Sequence, residues 1–219
     1  MPACRLYQHG ITASIENMGN PNPPKRGNAT GWSPAAARRN TNFLRSVDET
    51  QLTGIGVALT LTIRDCPESP DTWRKLTRAW IERQARSSNP LIRLHWVMEF
   101  QRRGVPHLHC AAWYEPKGED EKTALSNCSV KAVLDWFSLA QKHGTDLKGQ
   151  YVRKIDGAVG WFQYMSKHCS RSHKHYQRQK DSVPAAWASC PRVWGHRGDW
   201  VTHDPLKVEI NHRTFHALR

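Results

Sequence analysis

The chain has 219 residues, with 32 Lys and Arg against 19 Asp and Glu, a formal net charge of +13 and a pI of about 9.8. This length suits one domain with appendages, and a hydrophobic fraction of 38% with a mean hydropathy of −0.70 is polar without being a disordered composition. No run approaches the ~18 apolar residues of a membrane span, and the first residues carry no basic segment followed by an apolar one. Membrane and secreted classes are therefore set aside, and a cytoplasmic protein is expected.

Residues 1–50 read as a basic N-terminal extension. GNPNPPKRGNATGWSP (19–34) is loop-like, and Ser33-Pro34 then opens a short basic helix through AAARRNTNFLRS as an N-cap followed by Pro at the first helical position. GVALTLTI (56–63) alternates apolar residues with Thr and reads as a strand. DTWRKLTRAWIERQAR (71–86) places Trp73, Leu76, Trp80 and Ile81 on one helical face, with Asp71 as its cap. Leu91 to Phe100 is a second strand, RRGVP a turn, and HLHCAAWY (107–114) a third strand. EPKGEDEK is an exposed acidic loop. Residues 129–143 form a helix with Val130, Val133, Leu134 and Phe137 on one face and Gly144 as its stop. GQYVRKI (149–155) is a fourth strand, and 157–168 a third helix in this region.

The order β-α-β-β-α-β-α begins with the split pattern of ferredoxin-like and RNA-recognition folds. The expected fold class is α+β: an antiparallel sheet with strands one and three inside, helices on one face and the other face left for a ligand. Residues 51–170 form this central domain. Residues 171–219 are a basic extension, and the last fifty residues carry Trp187, Trp194 and Trp200. Basic groups interleaved with aromatics suit single strands, whose bases stack on rings. The alternative is that these tryptophans pack the tail against the domain.

The excess of positive charge points to a polyanion, of which nucleic acid is the commonest, since Lys and Arg neutralise phosphates and release counterions. Candidate contacts are Arg38 and Arg39 on the first helix, Arg102 and Arg103 in the turn, and Lys174 and Arg178 in the tail. The six cysteines (Cys4, Cys66, Cys110, Cys128, Cys169 and Cys190) include no CxxC pair, so neither a disulfide framework nor a zinc ribbon is signalled.

Two stretches carry chemistry. In Glu99-Phe-Gln-Arg-Arg-Gly-Val-Pro-His107-Leu-His109, alternate residues of a strand share a face, so both imidazoles project together. With a loop of 102–106, Gln101 pairs with His107 and Glu99 with His109. Two imidazoles and a carboxylate suit a divalent metal that also holds substrate. In Tyr164-Met-Ser-Lys167-His168, helical spacing sets Tyr164, Lys167 and His168 on one side. A tyrosine hydroxyl can attack a phosphodiester, but a free one, with pKa ~10, needs electrostatic help. Thr60 and Thr62 receive no catalytic role on this reading.

GVALTLTI, EFQRRGVPHLH and YMSK, in that order over roughly residues 55–170, resemble the three motifs of HUH endonucleases. The single-tyrosine rolling-circle replication initiators of plasmids and single-stranded DNA phages belong to that superfamily. Its His-hydrophobic-His pattern is met by His107-Leu108-His109, and its Tyr-x-x-Lys pattern by Tyr164 and Lys167. The resemblance implies site-specific nicking and joining of a DNA strand through a 5′-phosphotyrosine. It further implies Mg2+ or Mn2+ as cofactor, single-stranded or hairpin origin DNA as substrate, and the helicase and polymerase of a prokaryotic host as partners. Trp161 stands where two-tyrosine members have a second nucleophile, and His168 where some transposases place a Gln ligand. The third metal ligand is thus Glu99, with His168 or Gln101 as alternatives. The neighbouring functions are a single-tyrosine transposase or relaxase, and a non-catalytic single-stranded nucleic-acid binding module.

Overall fold

A computed structural model of the chain describes residues 1–15, 32–170, 183–187 and 192–218, with 167–170 as helical backbone alone. Lys174, Arg178 and Tyr176 lie outside the described residues. In chain order the elements begin with strands β1 (Pro2–Tyr7) and β2 (Gly10–Ile15), helix α1 (Pro34–Ser46), strand β3 (Ile55–Leu61) and helix α2 (Pro70–Ala85). Strands β4 (Leu91–Phe100) and β5 (Pro106–Tyr114), helix α3 (Glu121–Ala140), strand β6 (Tyr151–Lys154) and helix α4 (Ala158–Ser170) follow. Strands β7 (Trp194–Gly198) and β8 (Leu206–Glu209) and helix α5 (His212–Ala217) complete the described elements.

The architecture is α+β with two antiparallel sheets, one of five strands in the order β6-β3-β5-β4-β7 and one of three in the order β2-β1-β8. The first and third strands of the expected run, β3 and β5, are interior. The terminal segments contribute more structure than extensions were expected to. The N-terminal hairpin pairs with β8, and β7 adds to the free side of β4.

Directly paired residues share a sheet face, so the register sorts the side chains. Val57, Leu59, Leu61, Leu94, Met98, Leu108 and Cys110 face α2 and α3 in the main core. Val97, Ala111 and Trp113 face the other way, into a second core made with Leu44 of α1, Phe162 and Met165 of α4, and Trp200. Both faces are therefore covered, and every residue of β5 is buried. The face expected to lie open for a ligand is roofed at one end by α1 and α4, leaving only its other end for function.

Local chemistry explains the helix starts. Ser33 caps α1 and accepts from the Ala36 N–H at 3.1 Å, with Pro34 following as expected. Helix α2 uses the same device, with its cap two residues earlier than the sequence reading placed it. Ser69, not Asp71, accepts from the Thr72 N–H, and Pro70 is the first helical residue. Helix α3 starts at Glu121, capped by Asp120, so it takes up the end of the acidic stretch.

The buried face of α3 also differs from expectation. It is Ala124, Cys128, Ala132, Trp136 and Ala140, whereas Val130 and Leu134 are about half exposed. Small residues at four-residue spacing let the helix lie close to its neighbours, and one indole fills the remaining space. Apolar and polar residues are both spread round the helix, so hydrophobic periodicity alone could not select the face. The tryptophans of the tail pack. Trp187 is 1% exposed, lies edge-on to Phe100 and donates to the Pro67 carbonyl at 3.0 Å. Trp200 lies edge-on to Trp113 and Phe43.

Candidate active site

The β4–β5 hairpin turns more tightly than a 102–106 loop. The Gly104 N–H donates to the Gln101 carbonyl at 2.9 Å with φ of +75°, and the Gln101 N–H donates to the Val105 carbonyl. A left-handed residue after the turn is the natural place for glycine. Phe100 therefore pairs with Pro106, Glu99 with His107 and Val97 with His109. This corrects the expected register by two residues. Because a two-residue shift preserves the strand alternation, Glu99 still shares the face of both histidines. Gln101 leaves the strand, and its side-chain oxygen accepts from Arg103 at 2.7 Å.

Glu99, His107 and His109 are 1%, 5% and 6% exposed, and one ligand atom from each falls within 4.8 Å of the others. The two Nε2 atoms are 2.8 Å apart, and a Glu99 carboxylate oxygen is 3.8 Å from His109 Nε2. Two nitrogens bonded at ~2.1 Å and roughly at right angles to one octahedral cation would be about 3 Å apart. The donor set, two imidazoles with one carboxylate, thus fits a divalent ion in both chemistry and spacing.

His109 is held by a residue to which the sequence reading gave no role. Thr60 pairs with His109 across β3 and β5, and its Oγ1 is 3.0 Å from His109 Nδ1. With the threonine oxygen accepting from Nδ1–H, the lone pair is on Nε2, facing His107 and Glu99. Metal-binding histidines are commonly oriented by such a bond on the other nitrogen. The signal was present in the strand alternation, which sets Thr60 apart from Leu59 and Leu61, but using it requires knowing that β3 neighbours β5.

Tyr164 rides on α4 above this same face. Its ring centroid is 6.4 Å from that of His109, with the planes 79° apart, and 5.0 Å from that of Trp161. It is 41% exposed, so a substrate can reach it. The buried side of the helix, Phe162 and Met165, is anchored in the second core. Lys167 and His168 belong to the same helix, but their side chains lie outside the described residues. Arg38 and Arg39 are exposed on α1. Arg102 is exposed at the hairpin tip, while Arg103 donates to Gln101 and to the Ile63 carbonyl at 2.7 Å, tying the tip to the end of β3.

The replication-associated protein ORF2/G2P family matches residues 56–173. Two Xylella fastidiosa proteins that carry replication-protein names are similar to the chain. The one from strain Temecula1 is 47% identical over 97% of this chain and 78% of its own length, and the one from strain 9a5c 46% identical over 97% and 73%. The replication-associated protein G2P of Pseudomonas phage Pf3 is 40% identical over the whole chain and 77% of its own length. No solved structure matches the chain.

Proposed function

The chain belongs to the replication-associated protein ORF2/G2P family, and on that premise we propose that it nicks and rejoins a DNA strand to initiate rolling-circle replication, as a single-tyrosine HUH endonuclease. The observation that carries the reading is the convergence of Glu99, His107 and His109 on one sheet face beneath Tyr164. The strand order β6-β3-β5-β4 supports the ferredoxin-like fold on which that superfamily builds its site.

Tyr164 is the nucleophile. Its Oη forms a bond to phosphorus as the bond from phosphorus to the 3′ oxygen breaks. The phenol gives up its proton and the departing 3′ oxygen takes one, leaving a 3′ hydroxyl and a 5′-phosphotyrosine. One phosphoester replaces another, so attack by a 3′ hydroxyl on the phosphotyrosine rejoins a strand without an external energy source. Glu99, His107 and His109 would hold Mg2+ or Mn2+, which supplies Lewis-acid stabilisation of the phosphoryl oxygens. Thr60 keeps His109 in its binding tautomer. Lys167, one helical turn after Tyr164, steadies the phosphate. Origin DNA, single-stranded or in a hairpin, is the substrate, and a host helicase and polymerase use the primed 3′ end.

The test is incubation with randomised single-stranded oligonucleotides and Mn2+, followed by a denaturing gel and peptide mapping. The wild type forms a covalent adduct on Tyr164, and Tyr164→Phe forms none while retaining DNA binding. An adduct on Tyr7, Tyr114, Tyr151 or Tyr176 would reassign the nucleophile. No adduct on any tyrosine would favour a non-catalytic single-strand binding module.

A further inference from the structure

A groove of about 590 Å³ opens on the β6 side of Tyr164. Its floor is Ala58 and Thr60 of β3, and Trp161 and Tyr164 of α4 line its far wall. In the β3–β6 register Tyr151 is opposite Thr60 and Arg153 opposite Ala58. Both therefore stand on the sheet face that carries the histidine pair. Tyr151 is 49% exposed. Arg153 is also exposed, and its guanidinium makes no hydrogen bond or ion pair among the described residues. The neighbouring Lys154 is already engaged by Glu121 at 2.8 Å and Asp156 at 3.8 Å. Arg153 is thus the uncommitted cation of this wall.

Two further features hold the groove open. Ala58 puts only a methyl group between the Arg153 and Ala111 positions of the sheet. Gly160, in the first turn of α4, has no atom within 4 Å of where a Cβ would stand. A glycine in a helix costs up to ~1 kcal/mol relative to alanine, and no packing contact here requires one. A larger side chain at that position would build into the groove.

We infer that this groove binds the DNA strand on the downstream side of the nick, the part that stays joined to the tyrosine, with Tyr151 stacking a base and Arg153 meeting a backbone phosphate. The inference rests on the nicking reading of Tyr164. In phosphoryl transfer the attacking and leaving oxygens lie roughly in line. The departing 3′ oxygen and its nucleoside must therefore lie on the far side of phosphorus from Tyr164. A groove on the near side, lined by Tyr164 itself, is left for the strand that stays bonded to phosphorus through its 5′ oxygen. The spacing is suitable, because Tyr151 stands two strand spacings, about 10 Å, from His109. That is within reach of the first nucleotides beyond the attacked phosphate. An aromatic face beside a cation is the usual means of holding a single strand without reading its sequence.

The experiment takes the sequence cleaved by the wild type from the randomised pool and truncates it downstream of the nick, leaving either one nucleotide or several. Adduct formation with Mn2+ is measured for wild type, Tyr151→Ala, Arg153→Gln and Gly160→Leu. Circular dichroism serves as the folding control, since all three positions border open space. With the long downstream arm, each variant raises the half-saturating DNA concentration about tenfold, the scale of one lost stacking or phosphate contact. With one downstream nucleotide, the variants match the wild type. Variants that match the wild type on both substrates, or that lose equally on both, overturn the inference while leaving the nicking reading intact. Absence of any wild-type adduct overturns both.

Discussion

Replacing Thr60 by valine tests whether the second residue out from the proposed metal centre is part of it. The substitution keeps shape and β-branching on β3 and deletes only the hydroxyl that is 3.0 Å from His109 Nδ1. His109 is 6% exposed, so water replaces that partner poorly. Loss of a buried hydrogen-bond partner costs about 1–3 kcal/mol. Removing an orienting partner from a ligating histidine typically weakens metal binding by roughly 10–100-fold, about 1.4–2.8 kcal/mol. The expected result is a Mn2+ dissociation constant raised by about that factor in calorimetry, with a moderate fall in thermal stability. Thr60→Ser, which keeps the oxygen, should lie close to wild type. Thr60→Val binding Mn2+ within about twofold of wild type, under conditions where His107→Ala has lost it, is the refuting result. The hydroxyl would then be a bystander, and the tautomer of His109 would be set elsewhere.

Trp187→Ala should destabilise the protein by about 3–5 kcal/mol in denaturant unfolding, because it empties a site against Trp73 and Phe100 and leaves the Pro67 carbonyl without its donor. Unchanged stability with weakened single-strand affinity would instead make Trp187 a stacking platform. His95 is wholly buried, its Nε2–H donates to the Asn40 side-chain oxygen at 2.7 Å, and burial, with His196 nearby, pushes its pKa down to about 3. The unfolded chain takes up a proton below pH ~6.5 that the folded chain refuses, so this residue's effect is absent above that pH. As pH falls from there toward 3, it costs roughly 1 kcal/mol per pH unit. The stability of wild type minus that of His95→Gln should therefore decline between pH 6.5 and 5, and a flat difference would refute the burial argument.

Elements whose signals are local were legible in the sequence. The helix of 34–46 was marked by Ser33 and Pro34, the strand around Leu59 by its alternation of apolar residues with Thr, and the shared face of His107 and His109 by the two-residue period of a strand. That period also protected the association with Glu99 from a wrong register, since an error of two residues returns a side chain to the same face. Tyr164 was distinguished from four other tyrosines by its helix and its position after the histidines. Tertiary structure decided what depends on packing between distant segments. The buried face of α3 follows from small residues that permit close approach, a property concealed by apolar residues spread round the whole helix. The tail tryptophans became core because β7 pairs with β4 and brings the tail onto the sheet. Thr60 gained its place against His109, and Tyr151 and Arg153 theirs beside Tyr164, only when β3 was set between β5 and β6. Strand alternation assigns residues to alternating faces, but which faces meet, and across which neighbour, is settled by long-range hydrogen bonding that no local pattern encodes.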